Sequence, residues 1–328
     1  MISDASAAVG STRLPDLRAI REALARIAPH VHRTPVLACA AIDREAGAQL
    51  LFKCENFQRV GAFKARGACN AVFSLDAAAA SRGVVTHSSG NHGAALAYAA
   101  QRRGIPAWVV MPENAPAVKQ GNVRRFGATV RLCAPTIDAR EAACNDVARE
   151  TGATLIHPFD DPRVIAGQGT AALELVESVD ALDAVIAPCG GGGLLSGTSI
   201  AASSVRDTIA VFGAEPANAD DAARSLASGS LQPLAATTTI ADGLRTTLSP
   251  RTLSALRAYV DGIALCSEAA IVRAMRMMFE RMKQVVEPSG AVPLACLLER
   301  ALDVGGQRVG VIISGGNVDL DRLPWQAK

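Results

Sequence analysis

The amino-acid sequence predicts an α/β protein with two open, twisted, mostly parallel β-sheets that are covered by helices. Short, continuously apolar segments such as 184–187 and 309–313 alternate with longer segments that are rich in alanine or have helical periodicity. Strands buried on both faces of a parallel sheet have this continuous apolar character, and helices usually connect them. Glycine-rich stretches follow several of these strands, where ligands of such sheets bind.

The elements follow one another in a regular alternation. A first helix is predicted from Asp16 to just before Pro29, because the apolar residues from 17 to 27 fall on one helical face. Residues 1–12 have no period and are predicted to fray, and residues 214–266 are predicted to be irregular. Strands are predicted at 49–53, 84–86, 107–111, 129–132, 154–156, 184–187, 209–213 and 309–313, and further helices at 93–103, 116–126, 138–151, 164–179, 194–203, 267–284 and 289–303.

Composition excludes several classes of protein. The chain has 328 residues, of which 49% are hydrophobic and 20% charged, and its net charge is only +2, so neither nucleic acid nor an anionic membrane is an expected partner. The longest apolar runs are too short to span a membrane, and the N-terminus does not have the charge pattern of a signal peptide. The 8 cysteines form no C-x-x-C pair, which is typical of a reducing compartment, so we expect a cytoplasmic protein.

One lysine is a candidate nucleophile. Lys64 follows a Gly-Ala-Phe turn and opens an alanine-rich helical run. Both a helix N-terminus and partial burial lower the pKa of an amine, and a neutral amine can attack a carbonyl group to form a Schiff base. A solvated surface lysine is the alternative interpretation.

Two glycine-rich segments follow predicted strands, at 88–93 and at 190–193. Glycines allow backbone N–H groups to turn toward an anion at a helix N-terminus, so the second segment is a candidate phosphate site and the first a candidate carboxylate site. Neither matches a P-loop or a dinucleotide fingerprint, and a flexible turn is the alternative. Ser314 follows the last strand and is either a cap or a neutral hydroxyl of the site. Together these groups match the aldehyde, phosphate and ring nitrogen of pyridoxal phosphate and the carboxylate of its substrate.

The sequence also resembles a known family over nearly its whole length. It is similar to the fold-type II pyridoxal-phosphate enzymes, which have a tryptophan synthase β-like fold, and within them to the serine racemase and serine/threonine dehydratase family. The motifs that carry the resemblance are F-K-x-R-G-A at 63–68, S-S-G-N-H-G at 88–93, A-G-Q-G-T at 166–170, G-G-G-G at 190–193, E-P-x-N-A-D-D at 215–221, T-I-A-D-G at 239–243 and S-G-G-N at 314–317.

The resemblance implies a role for each residue around the cofactor. Lys64 would bind the pyridoxal phosphate aldehyde and later take the Cα proton of the substrate. Phe63 would lie beside the ring, Asn91 would hydrogen-bond its 3-oxygen, and Ser314 would face its nitrogen. A serine cannot protonate that nitrogen as a carboxylate partner can, which favours elimination of a β-substituent over a long-lived carbanion. The phosphate would be bound by Gly190, Gly191, Gly192 and Gly193.

The resemblance also implies the substrate contacts. Ser88, Ser89, Asn91 and His92 would receive the substrate carboxylate. Ser89 would stand on the ring face opposite the lysine, where it could return a proton to Cα and permit racemisation, or it could simply be a carboxylate contact. Arg140 and Asp242 would contact the far end of the substrate, and an arginine there could favour a β-carboxylate. A solvated helix charge is the alternative for Arg140.

A divalent cation site is implied separately. Glu215, Asp221 and the backbone carbonyl of Ala219 match a family site for Mg²⁺, with Ca²⁺ or Mn²⁺ as alternatives, and few protein oxygens leave room for the waters that Mg²⁺ keeps. The alternative is an acidic loop that caps the next helix. The site would be structural.

The sequence therefore predicts a lyase that converts L-serine, L-threonine or a related β-hydroxy amino acid to a 2-oxo acid and ammonia. The alternatives are a serine or other amino-acid racemase with side elimination, a 3-hydroxyaspartate dehydratase, or a non-catalytic protein that binds a phosphorylated ligand. The predicted domains are a large one from 1–53 and 154–328 and a small, mobile one from 54–153, with the cofactor between them. A homodimer is expected from the family likeness.

Overall fold

A computed structural model describes residues 13–88, 90–115 and 117–326 of the chain. Its strands are β1 (Val36–Ala38), β2 (Gln49–Cys54), β3 (Val84–His87), β4 (Ala107–Pro112), β5 (Thr129–Cys133), β6 (Thr154–Leu155), β7 (Ala184–Pro188), β8 (Ala210–Pro216), β9 (Gly262–Cys266) and β10 (Arg308–Ile313). Its α-helices are α1 (Leu17–Ile27), α2 (Ala40–Ala46), α3 (Lys64–Phe73), α4 (Ala77–Ser81), α5 (Asn91–Arg103), α6 (Ala117–Arg124), α7 (Ile137–Thr151), α8 (Pro162–Ser178), α9 (Gly193–Val205), α10 (Asp221–Ser228), α11 (Pro250–Tyr259), α12 (Glu268–Met277) and α13 (Pro288–Leu298).

The strands form two sheets, as the sequence predicts. The larger has the order β1-β2-β10-β7-β8-β9, and the smaller has the order β5-β4-β3-β6. Neighbouring strands are parallel except β1 and β2, which are antiparallel. The predicted fold class is therefore confirmed.

Helices cover both faces of each sheet because successive strand residues point in opposite directions. In β7, Val185 packs in the core under α8 and α9, whereas Ile186 packs in the core under α12 and α13. In β3, Val84 packs against α3 and α5, and Val85 packs against α7. Each strand is thus apolar throughout, which made it visible in the sequence.

Residues 214–266 are more regular than predicted. They contain α10, α11 and β9, and α11 begins with a capping box between Ser249 and Thr252. The helix predicted at 267–284 is α12, which continues as a π-helical turn at Met278–Met282 and ends at Lys283 in a left-handed conformation with φ 58°. That turn redirects the chain toward α13.

The domain division at residues 54 and 153 stays a prediction. The short strand β6 pairs with β3 of the smaller sheet, and α3 packs against α8 as well as against α5. The predicted fraying of residues 1–12 lies outside the described residues. Over the described ranges, no helix has both the length and the apolar character that a membrane span requires.

Candidate active site

Lys64 lies in the wall of a cavity of about 1000 Å³. Its amine donates a hydrogen bond of 2.9 Å to the carbonyl oxygen of Pro158 and lies 5.1 Å from the ring centroid of Phe63. Burial lowers the pKa of the Lys64 amine to about 8, and the nearby Glu287 carboxylate opposes this shift. Lys64 is therefore a cavity residue with a substantial neutral fraction near neutral pH, the form that attacks carbonyl groups.

The chain just before Lys64 is fastened to the end of β10. The backbone N–H of Phe63 donates to the carbonyl oxygen of Ser314 at 3.0 Å, and Ala62 forms an antiparallel bridge with Gly315. Ser314 is buried, at 2% exposure, and lines the same cavity. The first and last of the sequence motifs are thus brought together by backbone hydrogen bonds.

The Gly190–Gly193 segment joins β7 to the N-terminus of α9 and also lines the cavity. Gly192 has φ 82°, and a Cβ at Gly191 would lie 2.4 Å from the ring of Phe159. Glycine is therefore required both by conformation and by space. The first N–H groups of a helix have no partner within it, and they bind anions well. These features fit a phosphate group, and with Lys64 and Ser314 in the same cavity they fit pyridoxal phosphate.

Asn91 begins α5 and contacts a carboxyl group that the sequence analysis overlooked. Its side-chain N–H donates to the two carboxyl oxygens of Glu287 at 2.9 and 3.2 Å, and its side-chain oxygen accepts from Asn317 at 2.9 Å. Burial raises the pKa of Glu287 to about 7, and the Asp242 carboxylate raises it further, whereas the hydrogen bond from Asn91 lowers it. Glu287 precedes a proline at a helix start, which was the only signal in the sequence.

The candidate carboxylate segment is partly described. Ser88 lines the cavity, and its hydroxyl accepts a hydrogen bond from the N–H of Gly90 at 3.2 Å. His92 is buried, and one ring nitrogen, Nε2, lies 3.4 Å from the carbonyl oxygen of Ile156, so that nitrogen carries the proton that is donated. Burial lowers the pKa of the His92 imidazole well below its usual range. Ser89, the predicted racemisation residue, lies outside the described residues.

Arg140 and Asp242 both line the cavity, from opposite sides of it. Arg140 lies on α7, and its Nε donates to the carbonyl oxygen of Thr136 at 3.3 Å. Asp242 is bound by Lys119 of α6 in an ion pair of 2.8 Å, so a small-sheet helix is tied to the large-sheet side of the cavity. The sequence analysis did not identify Lys119.

The segment that follows β6 was also overlooked. His157, Pro158 and Phe159 line the cavity beside Lys64 and the glycine segment. The rule that ligand-binding residues follow parallel strands, when applied to the predicted strand at 154–156, would have found them.

Glu215 and Asp221 lie together behind the glycine segment and are fully buried. Glu215 accepts hydrogen bonds from the N–H groups of Ala222 and Ala223 at 3.2 and 2.8 Å, whereas neither carboxyl oxygen of Asp221 has a partner among the described residues. Burial raises the pKa of Glu215 to about 8 and that of Asp221 to about 6.

A buried carboxyl group without a partner is costly, and a cation would satisfy it. Ala219, which the sequence analysis adds through its carbonyl, is buried at 1% exposure in the loop between the two acidic residues. Within the described ranges no cluster of three or more His, Cys, Asp or Glu side chains suits a metal. The Glu215–Asp221 pair therefore fits a hard cation that keeps water ligands.

Known proteins show the same sequence and fold. A beta-hydroxyaspartate dehydratase of Paracoccus denitrificans (strain Pd 1222) is 52% identical over 300 residues, covering 92% of this chain and 95% of that protein. The serine racemase structure from Dictyostelium discoideum is 51% identical with a TM-score of 0.90, covering 94% of this chain and 100% of that one. A threonine deaminase structure from the organism abbreviated T.th. is 46% identical with a TM-score of 0.89, covering 94% of this chain and 100% of that one.

The fold and the cavity define an α/β enzyme that holds a phosphorylated aldehyde next to a reactive lysine. A family model described as pyridoxal-phosphate dependent enzyme matches residues 27–315, and the chain belongs to this family. The family resemblance seen in the sequence is therefore confirmed, and so is pyridoxal phosphate as the cofactor.

Proposed function

We propose that the protein is a lyase that converts a β-hydroxy amino acid to the corresponding 2-oxo acid and ammonia. The observation that carries the proposal is the position of the Lys64 amine, which has a lowered pKa and shares one cavity with the glycine segment 190–193. L-serine, L-threonine and 3-hydroxyaspartate are the candidate substrates. The names of the similar dehydratase and deaminase support this class of reaction.

Pyridoxal phosphate, when bound, supplies an electron-withdrawing ring that weakens the Cα–H bond of the amino acid. Lys64 takes that proton on its amine, which its lowered pKa allows near neutral pH. Gly190 to Gly193 would hold the phosphate and Phe63 would lie beside the ring. Ser314 would face the ring nitrogen with a neutral hydroxyl, and Asn91 would orient the ring oxygen.

The substrate would be held at two ends. Ser88, Ser89, Asn91 and His92 would receive its carboxylate at the start of α5, where the helix N-terminus favours an anion. Because the described His92 ring is turned toward Ile156, its contribution there would come from its backbone N–H. Arg140 and Asp242 would contact the substrate's far end, and Arg140 suits a second carboxylate as in 3-hydroxyaspartate.

Racemisation is the second candidate function, supported by the likeness to a serine racemase. It requires a proton donor on the ring face opposite Lys64, the role proposed for Ser89. A racemase of this framework would also eliminate water as a side reaction.

The test is to incubate the purified protein with L-serine, L-threonine and 3-hydroxyaspartate and to measure 2-oxo acid, ammonia and the D-enantiomer. We expect 2-oxo acid from at least one of them and none from Lys64→Ala, which should also lose the visible absorbance of the bound cofactor. D-serine that disappears in Ser89→Ala while elimination persists would establish racemisation. A colourless protein that consumes none of the three would overturn the proposal and leave a non-catalytic binding protein.

We also propose that Glu215, Asp221 and the carbonyl of Ala219 bind a divalent cation, with Mg²⁺ as the first choice and Ca²⁺ or Mn²⁺ as alternatives. The burial of Asp221 without a hydrogen-bond partner among the described residues supports this site. Millimolar Mg²⁺ should raise the melting temperature of the wild type but not of Asp221→Asn. Equal responses of the two proteins to Mg²⁺, Ca²⁺ and Mn²⁺ would contradict the site.

Three further proposals follow from the family likeness. We propose a homodimer in the cytoplasm, which size-exclusion chromatography with light scattering and cell fractionation would test. We also propose that the unit around the smaller sheet closes over the substrate. The ion pair between Lys119 and Asp242 spans the cavity and would tighten or break in such a movement.

A further inference from the structure

His157 has one defined tautomer, because its own turn fixes it. Its ring Nδ1 accepts hydrogen bonds from the backbone N–H of Asp160 at 2.8 Å and from that of Phe159 at 3.3 Å. A ring nitrogen that accepts these bonds carries no hydrogen, so the neutral ring has its N–H at Nε2. Burial lowers the pKa of the His157 imidazole to about 4, and the charge of His87 lowers it further, so the ring is neutral at physiological pH.

The direction of this ring is also fixed. It stands edge-on to Phe159, with centroids 4.6 Å apart, and edge-on to His87 at 5.5 Å. The turn beneath it is anchored by Arg251, which donates to the carbonyl oxygen of Asp160 at 2.9 Å. A hydrogen-bond donor that is held this rigidly costs little ordering entropy when it meets a ligand.

His157 lies between the reacting amine and the far end of the cavity. The next residue, Pro158, accepts the hydrogen bond from Lys64, and the charge of Lys64 lowers the pKa of His157. On its other side is His87, whose pKa is shifted by the charges of Glu141 and Arg140. The order along the wall is thus Lys64, His157, His87 and Arg140. Among the described residues, none hydrogen-bonds to Nε2 of His157, which lines the cavity.

We propose that His157 donates a hydrogen bond through Nε2 to the oxygen on the β-carbon of the substrate, the atom that leaves in elimination. The inference rests on the proposed function. In that step the Cα–H bond breaks and its proton goes to the Lys64 amine. The electron pair forms the Cα–Cβ double bond, and the Cβ–O bond breaks with its electrons on oxygen. Lys64 returns the proton to that oxygen, so that water leaves.

The oxygen gains negative charge as its bond to Cβ breaks, and a donor aimed at it stabilises that charge. Because His157 is a neutral donor, it does not itself supply the proton. It differs from the carboxylate site at the start of α5, which holds the other end of the substrate. His157 would thus favour substrates with oxygen on Cβ over those with a less polar leaving group.

Two substitutions separate this role from that of the turn. His157→Asn keeps an acceptor near the position of Nδ1, so that it can still bind the N–H of Asp160, but it removes the donor at Nε2. His157→Gln keeps a side-chain N–H near the position of Nε2 and loses the acceptor. The holoenzyme of each variant is compared with the wild type on L-serine and on β-chloro-L-alanine, whose chloride leaves without a strong hydrogen bond.

We expect His157→Asn to lower kcat/KM for L-serine by about 10- to 100-fold, the usual effect of removing a hydrogen bond to a charged oxygen, and for β-chloro-L-alanine by less than about 3-fold. His157→Gln should restore part of the activity on L-serine. Cofactor absorbance and melting temperature should stay near the wild-type values in His157→Asn. If L-threonine or 3-hydroxyaspartate is the better substrate, it replaces L-serine.

An equal loss on both substrates, or no loss on L-serine, would overturn the role of His157 while the wild type remains active. A wild-type enzyme that leaves every β-hydroxy amino acid unchanged would overturn the proposed function and this inference with it. The two failures are therefore distinguished by the wild-type assay alone.

Discussion

The side chain of Asn91 donates a hydrogen bond of 2.9 Å to the carboxyl group of Glu287, although 196 residues separate them in the chain. Asn91 begins α5 beside the smaller sheet, whereas Glu287 precedes α13 on the larger sheet. The contact therefore joins the two sheets across the cavity. The Glu287 carboxyl is also close enough to Lys64 to affect its pKa.

Glu287 should make stability depend on pH. Burial raises its pKa to about 7, above the value of about 4.3 in an unfolded chain, so the folded state binds the proton more tightly. The resulting stability is full below about pH 4.3 and is lost as the pH rises through 7. Glu287→Gln removes this loss, and the cofactor-free variant should gain about 1–3 kcal/mol relative to wild type between pH 5 and 8.

The measurement is denaturant unfolding at several pH values between 5 and 8. The exposed carboxyl of Glu113 provides the matched control, and Glu113→Gln should show no such trend. A stability difference for Glu287→Gln that stays constant across this range would show that Glu287 has an ordinary pKa.

Lys64 should react with aldehydes at a lower pH than an ordinary lysine. Its pKa is about 8, and the neutral amine is the nucleophile, so the rate rises with pH and levels off above about 9. Stopped-flow absorbance of the cofactor-free protein with pyridoxal phosphate between pH 7 and 10 measures this rate. In Glu287→Gln the midpoint should move lower, because the carboxylate that raises the pKa of Lys64 is gone. A wild-type rate still climbing steeply at pH 10 would refute the lowered pKa.

The sequence was sufficient to predict the features that are local. The strands β7 and β10 are continuously apolar, Lys64 opens a helix, and the four glycines at 190–193 join a strand to a helix. The structure brings these separate segments into one cavity, as the motifs predicted. The roles assigned to individual residues stay predictions.

Other features depend on contacts between distant segments and have no local signal. Glu287 approaches Asn91 only because a π-helical turn at Met278–Met282 redirects the chain after α12. Its sequence is as apolar and as regular as an ordinary helix, so the turn could not be predicted. The strand β9 was missed because it is a short edge strand that begins with Gly262. The tautomer of His157 depends on its own backbone turn and is visible only in the structure.

Arg66 lies two residues after Lys64 and should be critical for stability. It is fully buried and donates to Glu55 at 2.7 and 2.8 Å and to both oxygens of Glu174 at 2.8 Å, while Lys53 also binds Glu174 at 2.6 Å. The two cations and two carboxylates balance one another. Arg66→Met leaves two buried carboxylates with one cation, which should cost roughly 3–5 kcal/mol of unfolding free energy.

A double-mutant cycle tests this cluster. Arg66→Met combined with Glu174→Gln should destabilise less than the sum of the single changes, by about 1–3 kcal/mol, because the residues share one network. The exposed helical pair Arg18 and Glu22 is the control, and its coupling should not exceed about 0.5 kcal/mol. Additive effects at Arg66 and Glu174 would mean that the buried ion pair is not coupled.

Gly191→Ala should weaken cofactor binding more than it weakens the fold. The added Cβ would lie 2.4 Å from the ring of Phe159, which is itself packed edge-on against His157, so the glycine segment must shift. Overpacking of this kind costs about 1–3 kcal/mol, and a displaced segment presents its N–H groups wrongly to a phosphate. Gly121→Ala is the control, because nothing lies within 4 Å of the added atom and alanine favours the helix α6. Titration of each cofactor-free protein with pyridoxal phosphate should give a dissociation constant at least about tenfold higher for Gly191→Ala and an unchanged one for Gly121→Ala. Wild-type affinity in Gly191→Ala would mean that the phosphate is bound elsewhere in the cavity.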